Sequence, residues 1–101
     1  MPIANQPTHQ GCKITGVCLQ AGGKPESVKI IIRPERACLY SGVAYSVADC
    51  IVEPRADGRF EVTLPPSSYA GLYKVFMGNA RFQMTVPEAA QAQFGQIAGV
   101  I

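Results

Sequence analysis

The side chains able to do chemistry are few and scattered. Four cysteines stand at Cys12, Cys18, Cys38 and Cys50, and the single histidine is His9. Zinc sites bring their ligands in close pairs, two to four residues apart. The gaps between these cysteines are wider, and His9 with Cys12, which do have a suitable spacing, need two further ligands. Cys12 and Cys18 fall in one extended run, where about 3.3 Å per residue sets their α-carbons roughly 20 Å apart. They can share neither a metal ion nor a disulfide. A cross-strand disulfide from one of them to Cys38 or Cys50 stays open, although a reducing cytoplasm disfavours it. Buried free thiols, with no metal site, are the expectation.

Catalysis finds little to work with. A Ser–His–Asp or Cys–His arrangement must recruit His9, and nothing in the pattern brings it to Ser41, Ser46 or Asp49. Gly22-Gly23 lacks the spacing and the following helix of a phosphate loop. The acids are too scattered for a calcium loop. No catalytic residue and no cofactor is expected. Tryptophan is absent, which weakens a sugar-stacking reading; Tyr40, Tyr45, Tyr69 and Tyr73 could serve one, but core and edge packing is the plainer role for them.

The elements that must position these residues read as strands, because the pattern from residue 12 onward has period two. Cys12, Ile14, Gly16 and Cys18 share one face of the first run. Ala21 to Pro25 is a turn. Ser27 to Arg33 is β-branched, with Val28, Ile30 and Ile32 on one face, and Pro34 ends it. Its Ile30-Ile31-Ile32 centre has no internal charge, which predicts a covered edge. Residues 35–53 are ambiguous: Ala37 to Tyr45 reads as a strand, a bent pair or a loop, and Ser46 to Glu53 as a strand. Asp57-Gly58 signals a hairpin, followed by Phe60, Val62 and Leu64 on one face. Leu72 to Met77 and Ala80 to Val86 form a second hairpin around Gly78-Asn79.

At Pro87 the character changes. Proline in the first turn with Glu88 beside it suits a helix start, and Ala90, Phe94, Ile97 and Ile101 recur at helical spacing. Gly95 weakens such a helix by about 1 kcal/mol relative to alanine, and so short a helix forms only against something apolar. It either packs on the domain's own sheet or docks on another subunit. On the second reading Phe94, Ile97, Val100 and Ile101 are the candidate interface, and Phe94→Ala with Ile97→Ala weakens assembly while the rest stays folded.

These readings define an all-β chain, a small antiparallel β-sandwich of about seven strands with a short C-terminal helix or tail. Residues 1–11 form an N-terminal arm, 12–86 the sandwich and 87–101 the helix or tail. One hundred and one residues support one core. Charged residues are only 16% of the chain, against about 25% in ordinary soluble domains, which favours surface hidden in an assembly. The net charge is +2 and the nine cations are dispersed, so no nucleic-acid partner is expected. No apolar run reaches the roughly 18 residues of a membrane span. Residues 1–11 lack the charged start and apolar middle of a secretion signal, which favours folding in a cytoplasm.

Three segments carry a resemblance. Ile14-Thr-Gly-Val-Cys-Leu-Gln-Ala-Gly-Gly-Lys-Pro25 followed by Val28 to Ile32, then Asp57-Gly-Arg-Phe-Glu-Val-Thr-Leu-Pro65, then Gly71-Leu-Tyr-Lys-Val75, resemble the strands and turns of carboxypeptidase-regulatory-like (prealbumin- or transthyretin-like) sandwiches. The similarity spans about residues 13–86; Cys18 stands where that pattern has valine, and residues 35–53 depart from it. The ending, Phe82 to Phe94, is similar to the close of small sandwich domains in tailed-bacteriophage virion proteins. The resemblance implies a non-enzymatic virion component assembled in a host cytoplasm: an adaptor, a tail or fibre-anchoring protein, or a capsid decoration. Its implied partners are other virion proteins or itself, as a homo-oligomer such as a trimer or hexamer. The rival expectation is a monomeric sandwich that binds a glycan or other ligand through loop tyrosines.

Overall fold

A computed structural model describes residues 11–101; most of the expected N-terminal arm, His9 included, lies outside the described residues. The chain is a β-sandwich built as the alternation demands. β1 (Cys12–Val17) puts Cys12 and Ile14 inward and Lys13 outward. After a turn closed by Gly23 N–H on Gln20 O, β2 (Ile30–Arg33) buries Ile30 and Ile32. β3 (Cys38–Tyr40) and β4 (Val43–Tyr45) form a hairpin across the ambiguous region. Its turn residues Ser41 and Gly42 both have positive φ, 54° and 77°, which is what a two-residue type I′ turn requires. β5 (Cys50–Val52) follows, then β6 (Arg59–Leu64) with Phe60 and Leu64 buried. Pro66 leads into a single helical turn, α1 (Ser67–Ala70). β7 (Tyr73–Met77) and β8 (Ala80–Met84) pair as the expected hairpin, with Gly78 at φ 59° in the first turn position.

With β9 (Gln91–Gln93) and β10 (Ala98–Val100) from the tail, the strands form a three-stranded sheet, β6-β1-β9, and a five-stranded sheet, β10-β8-β7-β2-β5, with the β3-β4 hairpin beside them. Ile14, Phe60 and Leu64 from the first sheet meet Ile30, Ile32, Tyr73, Val75 and Met84 from the second. β2 lies between β7 and β5, so the expected cover of its uncharged edge comes from within the domain.

One expectation needs correction. Asp57-Gly58 makes a tight turn, with Gly58 N–H on Arg55 O and Arg55 N–H on Arg59 O, both at 2.8 Å. It does not join paired strands, because β5 belongs to one sheet and β6 to the other. The turn is held instead by the residue that follows β1: Cys18 N–H donates to Gly58 O at 2.7 Å. Residues 87–101 do carry a short C-terminal helix, but it is shorter than its spacing predicts and lies between two strands. This helix, α2 (Phe94–Ile97), is one turn, flanked by β9 and β10. β9 runs parallel to β1, and β10 antiparallel to β8. The tail therefore adds an edge strand to each sheet rather than standing apart from the sandwich. A longer helix from Pro87 would carry Gly95 inside it and be marginal at this length, whereas the open edges of β1 and β8 offer a full set of backbone partners.

Candidate functional site

The candidate interface divides in two. Phe94 stands between the sheets, edge-on to Phe60 at 5.7 Å and to Phe82 at 5.6 Å between ring centroids. It and Ile97 pack against the core. Val100 and Ile101 do not: Val100 is 82% exposed and Ile101 64%. Val100 pairs with Phe82, and Ile101 N–H donates to Arg81 O at 3.1 Å. Among the described residues β10 is the last strand of its sheet, and it carries no charged residue. Its outer backbone groups and these two side chains form an apolar edge, the arrangement that invites pairing with another chain.

A second feature is a cleft of about 340 Å³ where the sandwich opens between the edges β5 and β6. Ile32, Leu64 and Tyr73 form its apolar floor, and Tyr45, Asp49 and Cys50 its walls. Most of its polar groups are engaged. Tyr73 Oη donates to Pro65 O at 2.7 Å, and burial holds its pKa well above the usual phenol value. Asp49 accepts from Arg33 Nε at 2.8 Å and Nη2 at 3.0 Å, which keeps its carboxyl below the ordinary range. Ser46 Oγ accepts from Ala48 N–H. Ser41 sits in the β3-β4 turn, outside the cleft lining.

The tyrosines separate likewise. Tyr73 is core, Tyr40 is buried edge-on against Tyr69 at 4.8 Å, and only Tyr45 and Tyr69 keep accessible rings. The four cysteines are free thiols, Cys12 and Cys18 buried, Cys38 and Cys50 half-buried. Burial pushes the Cys12, Cys18 and Cys50 thiols up, with Glu26 adding to the effect at Cys18. Cys18 Sγ donates to Met77 Sδ at 3.7 Å. Thiols held neutral in this way are poor nucleophiles and poor metal ligands. Among the described residues no three His, Cys, Asp or Glu side chains converge on one point, and no helix is long and apolar enough to cross a membrane.

Sequence pattern could locate Val100 and Ile101 but not their exposure, which depends on β10 ending its sheet. It missed the cleft altogether, because the cleft is a gap between edges that lie far apart in the chain. No protein-family profile matches the sequence, and no curated protein matches it.

Proposed function

We propose that the protein is a non-enzymatic structural or assembly component that works by protein–protein contact. The observation that carries this reading is the uncharged free edge of β10 with Val100 and Ile101 exposed beside it. A neighbour's strand laid along β10 satisfies its open backbone groups and takes both side chains out of water. The five-stranded sheet ends in β10 on one side and β5 on the other. Joining β10 to β5 of the next copy is a head-to-tail contact that closes into rings such as trimers or hexamers, whereas β10 on β10 gives a two-fold dimer. The similarity of Phe82 to Phe94 to virion sandwich domains supports the more specific proposal of a bacteriophage adaptor, tail or fibre-anchoring, or capsid decoration protein.

Light scattering over a range of concentrations tests the reading. A discrete oligomer is expected, reduced to monomer by Val100→Asp with Ile101→Asp while circular dichroism shows the sandwich still folded. A wild-type protein that stays monomeric throughout sinks the self-assembly part of the proposal. The cleft with Tyr45 on its wall favours a second reading, a ligand- or glycan-binding module. Saturable binding in a glycan screen by a monomer, lost on Tyr45→Ala, is its signature.

A further inference from the structure

The outer face of the five-stranded sheet carries a surface that the β10 edge does not use. Ile30 and Ile32 point into the core, so Ile31 points out. The same alternation turns Ile51, Phe76, Lys74, Arg33 and Arg81 outward, since their neighbours in each strand pack on the core. Register sets them in two rows. Ile51, Ile31, Phe76 and Arg81 lie side by side across β5, β2, β7 and β8. Arg33, Lys74 and Gln83 form the next row, and a shallow groove of about 340 Å³ lies beyond it, against Pro34, Glu35 and Leu72. Ile51 is 60% exposed. The Arg33 guanidinium lies 5.2 Å from the Phe76 ring centroid while Asp49 neutralises it. Lys74 and Arg81 make no ion pair among the described residues.

We propose that this face binds an acidic protein segment, with an apolar side chain of that segment on Ile51, Ile31 and Phe76 and its carboxylates on Lys74 and Arg81. An apolar strip bordered by two unpaired cations selects its partner: covering the strip with a neutral surface strips water from both cations without compensation, whereas carboxylates pair them. From the diagonal register of β7 and β8, Lys74 and Arg81 are rooted about 8 Å apart, close to the spacing of alternate residues on one extended chain. A second copy of this chain is a poor occupant because it too carries net charge +2. Two cations flanking aliphatic side chains do not make the continuous basic track that a phosphate backbone needs. The surface adds to the contact reading above but shares no residue with β10.

Fluorescence anisotropy on the full chain tests it with three labelled probes: a ten-residue peptide alternating glutamate and leucine, the same peptide with lysine for glutamate, and a single-stranded oligodeoxythymidine of equal length. The acidic peptide is expected to bind saturably and to weaken as salt rises. Lys74→Glu with Arg81→Glu should weaken it about tenfold or more and shift preference to the lysine peptide. Ile51→Ser, with the charges intact, should weaken it several-fold, while Val100→Ser, which alters the β10 edge without placing a charge beside Arg81, leaves it unchanged and reports on the edge alone. Circular dichroism confirms that the exposed variants fold. Absence of saturable binding, equal binding of the lysine peptide or the oligonucleotide, or indifference to the charge reversal overturns the proposal.

Discussion

Gly16 lies on the inner face of β1 opposite Phe60, and the space a side chain would take is already filled. A β-carbon there would stand 2.5 Å from Phe60 Cζ and 3.0 Å from Phe94 Cβ. Gly16→Val should therefore cost about 1–3 kcal/mol by overpacking, read as a lower urea midpoint at an unchanged slope. The thiols make a second prediction at this scale. In the folded chain Cys12, Cys18 and Cys50 hold their protons above the pH at which an unfolded thiol loses its own. Above roughly pH 8.5–9, the range of a free thiol, the unfolded state therefore binds fewer protons and stability falls as pH rises. Their contribution should be constant from pH 6 to about 8 and decline beyond it. Cys12→Val, which has no proton to lose, should make the alkaline decline shallower in urea titrations at several pH values. Alternation identified Cys12 and Cys18 as inward-facing from the sequence itself, because a period of two needs no knowledge of what lies opposite. Gly16 reads as one more residue on that face until Phe60 and Phe94 are seen converging on it.

The tail makes the case at the scale of elements. Its spacing of Phe94 and Ile97 fits a helix, and the structure keeps one helical turn there. The residues on either side are strands because backbone pairing with β1 and β8 is available there, while Gly95 weakens a longer helix. Phe94 joins the two sheets through Phe60 and Phe82 but is only half-buried, so Phe94→Ala should cost about 2–3 kcal/mol, below the range of a fully buried phenylalanine. With Ile97→Ala added, loss of the folded state is expected on thermal denaturation, in place of the folded but disassembled protein that a docking helix would leave. Survival of the double variant with a near wild-type melting temperature would show that the tail is not part of the core. The hairpin at Gly78-Asn79 was readable because turn chemistry and strand alternation agree over adjacent residues. Asp57-Gly58 carries the same turn chemistry, yet its flanking strands part into different sheets, a choice made by distant partners such as Cys18.

For the whole molecule, the distribution of surface is the argument. Low charge content shows as an uncharged strand at each end of the five-stranded sheet and an apolar row on its outer face. Hidden surface of this kind is expected to make the oligomer resist dilution until Val100 and Ile101 are charged, with melting temperature rising with protein concentration in the wild type and not in the variant. A concentration-independent melting temperature in both would separate stability from assembly and leave the edge without a partner.

The all-β class, the inward faces of the strands and the turn at Gly78 follow from local physics: alternation, positive φ and the missing N–H of proline act over a few residues and are written in order along the chain. The expected sandwich rested on these, whereas the β3-β4 hairpin at Ser41-Gly42 is one of three local readings, and the structure chose it. Which strands share a sheet, that residues 91–100 add an edge strand to each sheet, that Val100 and Ile101 stay in water while Phe94 does not, and that Lys74 and Arg81 flank one apolar row were decided only by the tertiary structure. Each depends on contacts between residues tens of positions apart, and local preference is silent on those: an apolar side chain in the sequence is the same whether its strand ends a sheet or lies within one.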